Sequence, residues 1–121
     1  MYVDWVIENN LIVVDHYHGI TLSGARGCRI VNNTVMDPNA VRPGPCWIKI
    51  AGHKKGMPSS GCTIRNNLAP SAGGTGGRNM IVDHNLKITD PAEHFADPAG
   101  GDLRLKPGSP AIDAGSSDLA P

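Results

Sequence analysis

Ile7-Glu8-Asn9-Asn10-Leu11 returns as Ile30-Val31-Asn32-Asn33-Thr34, as Ile64-Arg65-Asn66-Asn67-Leu68 and, altered, as Val82-Asp83-His84-Asn85-Leu86. Each copy holds an aliphatic residue, any residue, a polar residue, Asn and then usually another aliphatic. A second phrase alternates with it: Gly19-Ile20-Thr21-Leu22-Ser23-Gly24 after the first copy, Trp47-Ile48-Lys49-Ile50-Ala51-Gly52 after the second. Two strand-like phrases per unit, recurring every few tens of residues, mark an architecture of stacked repeats. The expected fold is an all-β solenoid of parallel strands.

The anchors at 7, 30, 64 and 82 are separated by 23, 34 and 18 residues. The long interval has a local origin, because the additions fall in 37–45 and 53–60, where Pro and Gly mark loops. The short one is expected where Ala72-Gly73-Gly74-Thr75-Gly76-Gly77 replaces the second strand.

Composition narrows the function classes. The 121 residues allow one domain, and the 15 Gly and 10 Pro argue for many turns and little helix. Net charge is zero, so no attraction to nucleic acid is implied, and no apolar run approaches membrane-spanning length. Charge is uneven: Arg42, Lys49, Lys54 and Lys55 stand in 42–55 without an acid, whereas 83–118 holds seven acids against three bases. An acidic partner would meet the first stretch. No signal-peptide pattern follows Met1. The repeat begins almost at once, with no polar capping element ahead of it. The expectation is therefore the C-terminal part of a longer protein, self-associating when isolated through the edge of its first coil.

Alternation places Ile7, Ile20, Leu22, Ile30, Ile48, Ile50 and Ile64 inside. It places Gly19, Thr21, Trp47 and Lys49 outside, Trp47 over Gly19 and Lys49 over Thr21. Asn10, Asn33, Asn67 and Asn85 are set to bond their amides from coil to coil, and Asn suits a repeated left-handed bend. Cys28 and Cys62 both stand two residues before an anchoring Ile, which reads as a pair of inward thiols, reduced or bridged. Coils are expected over 1–89 and a connector and terminal cap over 90–121, with Leu103 and Leu105 in a half-buried strand and Ile112 plugging the core.

The Ile-x-Asn-Asn repeats, with Ser109-Pro110-Ala111-Ile112-Asp113-Ala114-Gly115 after Asp102-Leu103-Arg104-Leu105, resemble the C-terminal end of right-handed parallel β-helix proteins of the pectate-lyase-like superfamily. The resemblance covers nearly the whole chain. It implies a right-handed parallel β-helix of three to four coils plus a capping segment. It also implies a secreted or periplasmic precursor that acts on polysaccharides as a lyase, hydrolase or epimerase, with calcium as the candidate metal. Asp90, Asp97, Asp102 and Asp113 are the acids available for calcium, but their spacing reads as turns.

A site for an acidic polysaccharide needs an apolar platform, cations for uronate carboxylates and a proton acceptor. His18 and Lys49 are the candidate catalytic residues. His16, Tyr17, Arg42, Trp47, His53, Lys54 and Lys55 are the candidate substrate-binding residues. The leading expectation is a lyase or epimerase on a uronate glycan, inactive as an isolated chain. A glycan-binding or structural module, of adhesin or phage-tail type, is the competing class. Tyr17-His18-Gly19 with Trp47-Ile48-Lys49 also resembles the Gly-His-Gly and Arg-Ile-Lys motifs of polygalacturonase-type hydrolases, without the paired acids. Taken singly, these residues also read as plain wall: Trp47 under the 37–45 loop, the lysines solvated, His18 level with Cys46.

Overall fold

The computed structural model describes residues 2–37, 46–53, 55–74, 77–112 and 114–115. The chain visits four parallel sheets in a fixed cyclic order. The first pass lays down β1 (Tyr2–Val3), β2 (Val6–Glu8), β3 (Leu11–Val13) and β4 (His18–Ser23). The second lays down β5 (Ala25–Arg26), β6 (Arg29–Val31), β7 (Thr34–Met36) and β8 (Trp47–Ala51). The third contributes β9 (Thr63–Arg65), β10 (Leu68–Ala69) and β11 (Ser71–Gly74), the fourth β12 (Ile81–Asp83) and β13 (Leu86–Lys87). Sheet 1 is β1-β5, continued by single bridges from Arg26 to Ser60 and from Ser60 to Arg78. Sheet 2 is β2-β6-β9-β12, sheet 3 is β3-β7-β10-β13 and sheet 4 is β4-β8-β11. All strand pairs within these four sheets are parallel. The described residues contain no α-helix, hence none long and apolar enough to cross a membrane.

The glycine-rich segment is a strand after all. Ser71, Ala72, Gly73 and Gly74 pair with Trp47, Ile48, Lys49 and Ile50, so the third pass keeps its sheet 4 strand. What shortens the pass is its connections. Between sheets 1 and 2 the turn is always two residues, Asp4-Trp5, Gly27-Cys28, Gly61-Cys62 and Asn79-Met80. Between sheets 2 and 3 it is again two residues in all four passes. Length varies only on either side of sheet 4, where 14–17, 37–46 and Pro70 lead in.

Both constant turns rest on a left-handed residue. Asn9, Asn32, Asn66 and His84 have φ between 52° and 59°, and so do Asp4 and Asn79 at the other turn, with Gly27 and Gly61 between them at 66° and 62°. Asn, Asp, His and Gly tolerate this conformation with the least penalty. The two residues of the Asn-Asn phrase thus divide the work. The first bends the chain; the second carries the ladder.

In that ladder Asn33 donates its side-chain amide to the Asn67 Oδ1 at 3.1 Å and to the Ile7 carbonyl at 3.0 Å. Asn67 does the same to the Asn85 Oδ1 at 2.8 Å and the Ile30 carbonyl at 2.9 Å. The backbone N–H of each Asn points to the same oxygen, at 3.1 Å from Asn10, 3.0 Å from Asn33 and 3.0 Å from Asn67. Asn33 and Asn67 are fully buried, so every polar position of two desolvated amides is filled.

Inside the sheets, Ile20, Leu22, Ile30, Ile48, Ile50 and Ile64 are buried as alternation requires, joined by Val35, Ala69 and all three cysteines. Ile7 packs against this core from the half-buried first pass. The cysteines are free thiols, and burial raises the Cys46 and Cys62 pKa values. Residues 90–112 do not close the end of the stack. The antiparallel hairpin β14 (Phe95–Asp97) and β15 (Asp102–Leu105) lies against the outer side of sheet 3, where Phe95 and Leu103 pack with Met36, Leu68 and Ile88. Leu105 is exposed, and so is Ile112, which therefore plugs nothing. Asp90 caps a short 3₁₀ turn (Pro91–Glu93), Asp97 accepts from Gly100 N–H and Asp102 pairs with Arg104.

Arg65 and Asp83 face each other across β9 and β12 and form a two-pronged pair at 2.5 and 2.9 Å.

Asn67→Leu is expected to destabilise the fold by about 3 kcal/mol or more, since it strands buried partners on both sides. Asn10→Leu, at the exposed end, should cost under about 1 kcal/mol. Denaturant unfolding of both variants tests the ladder. The Arg65 guanidinium holds the Asp83 carboxyl at about 2, below its usual 3.8. A depressed pKa contributes stability that is complete above about pH 4 and disappears as pH falls through 2. The melting difference between wild type and Asp83→Asn at pH 6 should therefore shrink between pH 4 and 2 and vanish below pH 2.

Candidate functional site

Sheet 4 turns a row of polar and aromatic side chains outward, and one irregularity decides its layout. His18 pairs with Trp47, but the next partners are Ile20 and Ile48, so Gly19 is an extra residue on β4. Such a bulge shifts the alternation by one. His18 and Thr21, three apart and on opposite faces of a regular strand, now both face out. This replaces two sequence-derived alignments: Trp47 lies beside His18, not Gly19, and His18 is level with Trp47, not Cys46. Glycine is required there, since a Cβ would sit 2.2 Å from the Val35 Cγ1 and 2.9 Å from the Trp47 carbonyl. Lys49 lies beside Thr21 as expected.

Trp47 is the centre of the cluster. Its indole N–H donates to the Thr21 hydroxyl at 3.0 Å, and the same hydroxyl lies 2.8 Å from His18 Nδ1. Tyr17 stacks on the indole with centroids 5.4 Å apart and planes 17° from parallel. His18 meets it edge-on at 5.1 Å, and the Lys49 ammonium sits over the ring at 5.1 Å from its centroid. His16 stacks on His18 at 5.3 Å, and its Nδ1 accepts the His18 backbone N–H at 3.2 Å. A cation over an indole gains about 0.5–1 kcal/mol at an exposed site, enough to fix the position of a flexible lysine. Because Tyr17 already covers part of the indole, the exposed aromatic surface belongs to Tyr17, which is 40% accessible.

Beside this cluster the wall steps down. β11 presents Ser71 next to Trp47 and Gly73 next to Lys49, and an open groove of about 220 Å³ runs between Trp47, Lys49, Ser71, Gly73 and Gly74. Gly74 makes room for the Met80 side chain, whereas a Cβ on Gly73 would meet nothing within 4 Å. Packing does not require glycine at 73. A glycine in a strand costs about 0.5–1 kcal/mol relative to Ala and often marks a place where something else approaches the backbone.

His16, Tyr17, His18, Trp47 and Lys49 are thus brought together, with Thr21, Ser71 and Gly73 as members that sequence reasoning passed over. Thr21 was already placed outward beside Lys49, which was the available signal. His53 and Lys55 do not join them. His53 packs against Gly24, beyond the far end of β4 and about 16 Å of strand from His18, and its Nδ1 accepts the Lys55 N–H in a local turn. Arg42 and Lys54, along with Asp113 and most of the 37–45 loop, lie outside the described residues. Among the described residues no three His, Cys, Asp or Glu side chains converge, and Asp90, Asp97 and Asp102 are each engaged in turns of their own.

Compared with protein-family models, curated proteins and solved structures, the chain matches none.

Gly73→Val is expected to leave unfolding free energy within about 0.5 kcal/mol of wild type, as at an open surface. Gly19→Val should lose about 2 kcal/mol or more by overpacking against Val35. Equal losses in chemical denaturation would refute this division between a structural glycine and one that keeps a groove open.

Proposed function

We propose that the chain is part of a right-handed parallel β-helix that binds an acidic, uronate-bearing polysaccharide along sheet 4, in the manner of a polysaccharide lyase or epimerase. The handedness follows from the strong preference of parallel strand crossovers for that hand. The observation that carries the functional reading is the Lys49 ammonium fixed over Trp47, beside His18 and above the Gly73 groove. Lys49 has no carboxylate partner among the described residues, so its charge is available to a ligand. A uronate needs that charge next to a ring-sized apolar surface, and Tyr17, backed by Trp47, supplies it.

In an elimination or epimerisation the first step is the same: loss of the proton on the carbon bearing the carboxylate. Lys49 neutralises the carboxylate, which acidifies that proton and stabilises the enolate formed. His18 takes the proton. The Thr21 oxygen accepts the indole N–H and lies within hydrogen-bond distance of His18 Nδ1, and the proposed step uses the tautomer in which His18 Nδ1–H donates to that oxygen. That tautomer leaves Nε2 unprotonated for the substrate. In elimination the electron pair forms the C4–C5 double bond, the C4–O bond breaks, the leaving oxygen takes up a proton from water and His18 returns its proton to the solvent. Hydrolysis by paired carboxylates has less support, because the outward positions of β4, β8 and β11 are His18, Thr21, Ser23, Trp47, Lys49, Ala51, Ser71 and Gly73, with no acid among them. A purely glycan-binding wall is the second reading, favoured by Tyr17 lying over Trp47 as a built platform.

Mobility in gels cast with polygalacturonate, alginate or a neutral glucan tests the reading. Retardation is expected only in the two polyuronates, falling with salt, and Lys49→Ala should weaken it about tenfold. His18→Ala should retain binding and abolish any release of unsaturated uronate. Retardation without such release by wild type would leave an epimerase or a binding wall, no retardation in either polyuronate would overturn the uronate reading, and none in any of the three gels would overturn both.

A further inference from the structure

The two constant corners of each pass carry different columns. Amides run through the corner between sheets 2 and 3, whereas the second residue of the turn between sheets 1 and 2 is Trp5, Cys28, Cys62 and Met80 in successive passes. Cysteine therefore stands at this place in two adjoining interior passes. Arg29 pairs with Thr63 immediately after them, and the Thr63 N–H donates to the Cys28 carbonyl at 2.9 Å. Gly27 and Gly61 precede them in the same left-handed conformation, with φ of 66° and 62°. Equal register and equal backbone lay Cys62 over Cys28 at the spacing of neighbouring parallel strands, about 4.8 Å. A disulfide needs Cα atoms about 4.4–6.8 Å apart. Both side chains turn into the core and are fully buried. Burial is the main cause of the raised Cys62 pKa, and the Cys28 thiol contributes to it. Cys46 has no such neighbour, because Tyr17 and Pro70 hold its level in the flanking passes.

We propose that Cys28 and Cys62 form a disulfide rung between the second and third passes when the chain folds in the presence of a small-molecule disulfide such as oxidised glutathione. The Cys28 thiolate attacks that disulfide, giving a mixed disulfide and releasing one glutathione thiolate. The Cys62 thiolate then attacks the Cys28 sulfur, and the second glutathione leaves. The two cysteines together lose two electrons, the glutathione disulfide gains them, and the two cysteine protons end on the two glutathione thiols. Little hydrogen bonding is lost. The Arg26 and Ser60 carbonyls, which the thiols reach at 3.7 and 3.4 Å, already accept the Asp4 and Gly27 N–H groups at 2.9 and 3.0 Å. Gly27 and Gly61 leave the corner free to draw the two Cβ atoms together. Fully buried thiols meet no oxidant in the closed fold, so the bond forms before the passes close, and the same burial then shields it from reductant.

The inference is independent of the glycan reading. Its test is refolding of the full chain in mixed reduced and oxidised glutathione, alkylation of the remaining thiols and peptide mapping without reduction. Chain exported to an oxidising bacterial periplasm is mapped in parallel, so the outcome does not depend on refolding in vitro. One Cys28–Cys62 link is expected, with Cys46 alkylated. The two cysteines are 34 residues apart, and a link across such a loop should raise the melting midpoint by about 5 °C or more over the reduced protein. Cys46→Ala should keep both the link and the shift. The double variant Cys28→Ala/Cys62→Ala should melt at the same temperature with and without reductant. Three alkylated thiols in both preparations, links through Cys46, or a linked protein that melts no higher than the reduced one would each overturn the proposal.

Discussion

The column of asparagine amides is the interaction on which the rest depends. Parallel strands satisfy their own backbone groups within each sheet, but the turn between sheets 2 and 3 lifts peptide groups out of the sheets and into the stack. Without partners there, each pass would bury unsatisfied polar atoms at a cost of about 1–3 kcal/mol apiece. Asn33 and Asn67 remove that cost by using both lone pairs and both N–H groups of one side chain. No other side chain of that size brings two donors and an acceptor of this geometry. The ladder therefore sets the register of sheets 2 and 3, and those sheets place the aliphatic columns in line.

The left-handed column at the other constant turn is its counterpart. It needs no ladder, because the residues after it, Cys28 and Cys62, are buried thiols that donate only weakly to nearby carbonyls. Asp4, Gly27, Gly61 and Asn79 are all three residues ahead of an anchor, so this column was readable in the sequence as a recurrence of turn-forming types. It is easily missed because four different side chains solve one backbone problem. The Asn ladder and the inward aliphatics were legible for the opposite reason, that one residue type recurs at each position.

Three features were not legible. The Gly19 bulge depends on how Val35 presses on β4 from an adjacent sheet, and no local pattern records that contact. The strand of β11 hides in a run of small residues, which have no side-chain alternation to display; only its pairing with Trp47 to Ile50 reveals it. The hairpin of β14 and β15 follows the repeats in sequence and so looks like an end cap, yet its largest apolar residue, Phe95, finds its partners on the side of sheet 3. The cluster of His16, Tyr17, His18, Trp47 and Lys49 was anticipated as a group, but its geometry comes from the bulge.

Turn lengths are constant at two corners of each pass and variable at the other two, which flank sheet 4. Lengthening a loop costs only about 0.6 kcal/mol per doubling, whereas inserting a residue at a constant corner would break register in two sheets. Sequence change is therefore channelled. The spine of the molecule is closed to insertion while the rim of a single wall stays open to it, and that wall bears Tyr17, Trp47 and Lys49. A lineage built on this plan can acquire new recognition surfaces by loop exchange alone. An engineer can do the same, grafting segments between Val14 and Tyr17 or between Asp37 and Cys46 while keeping Val14 and Cys46 in the core.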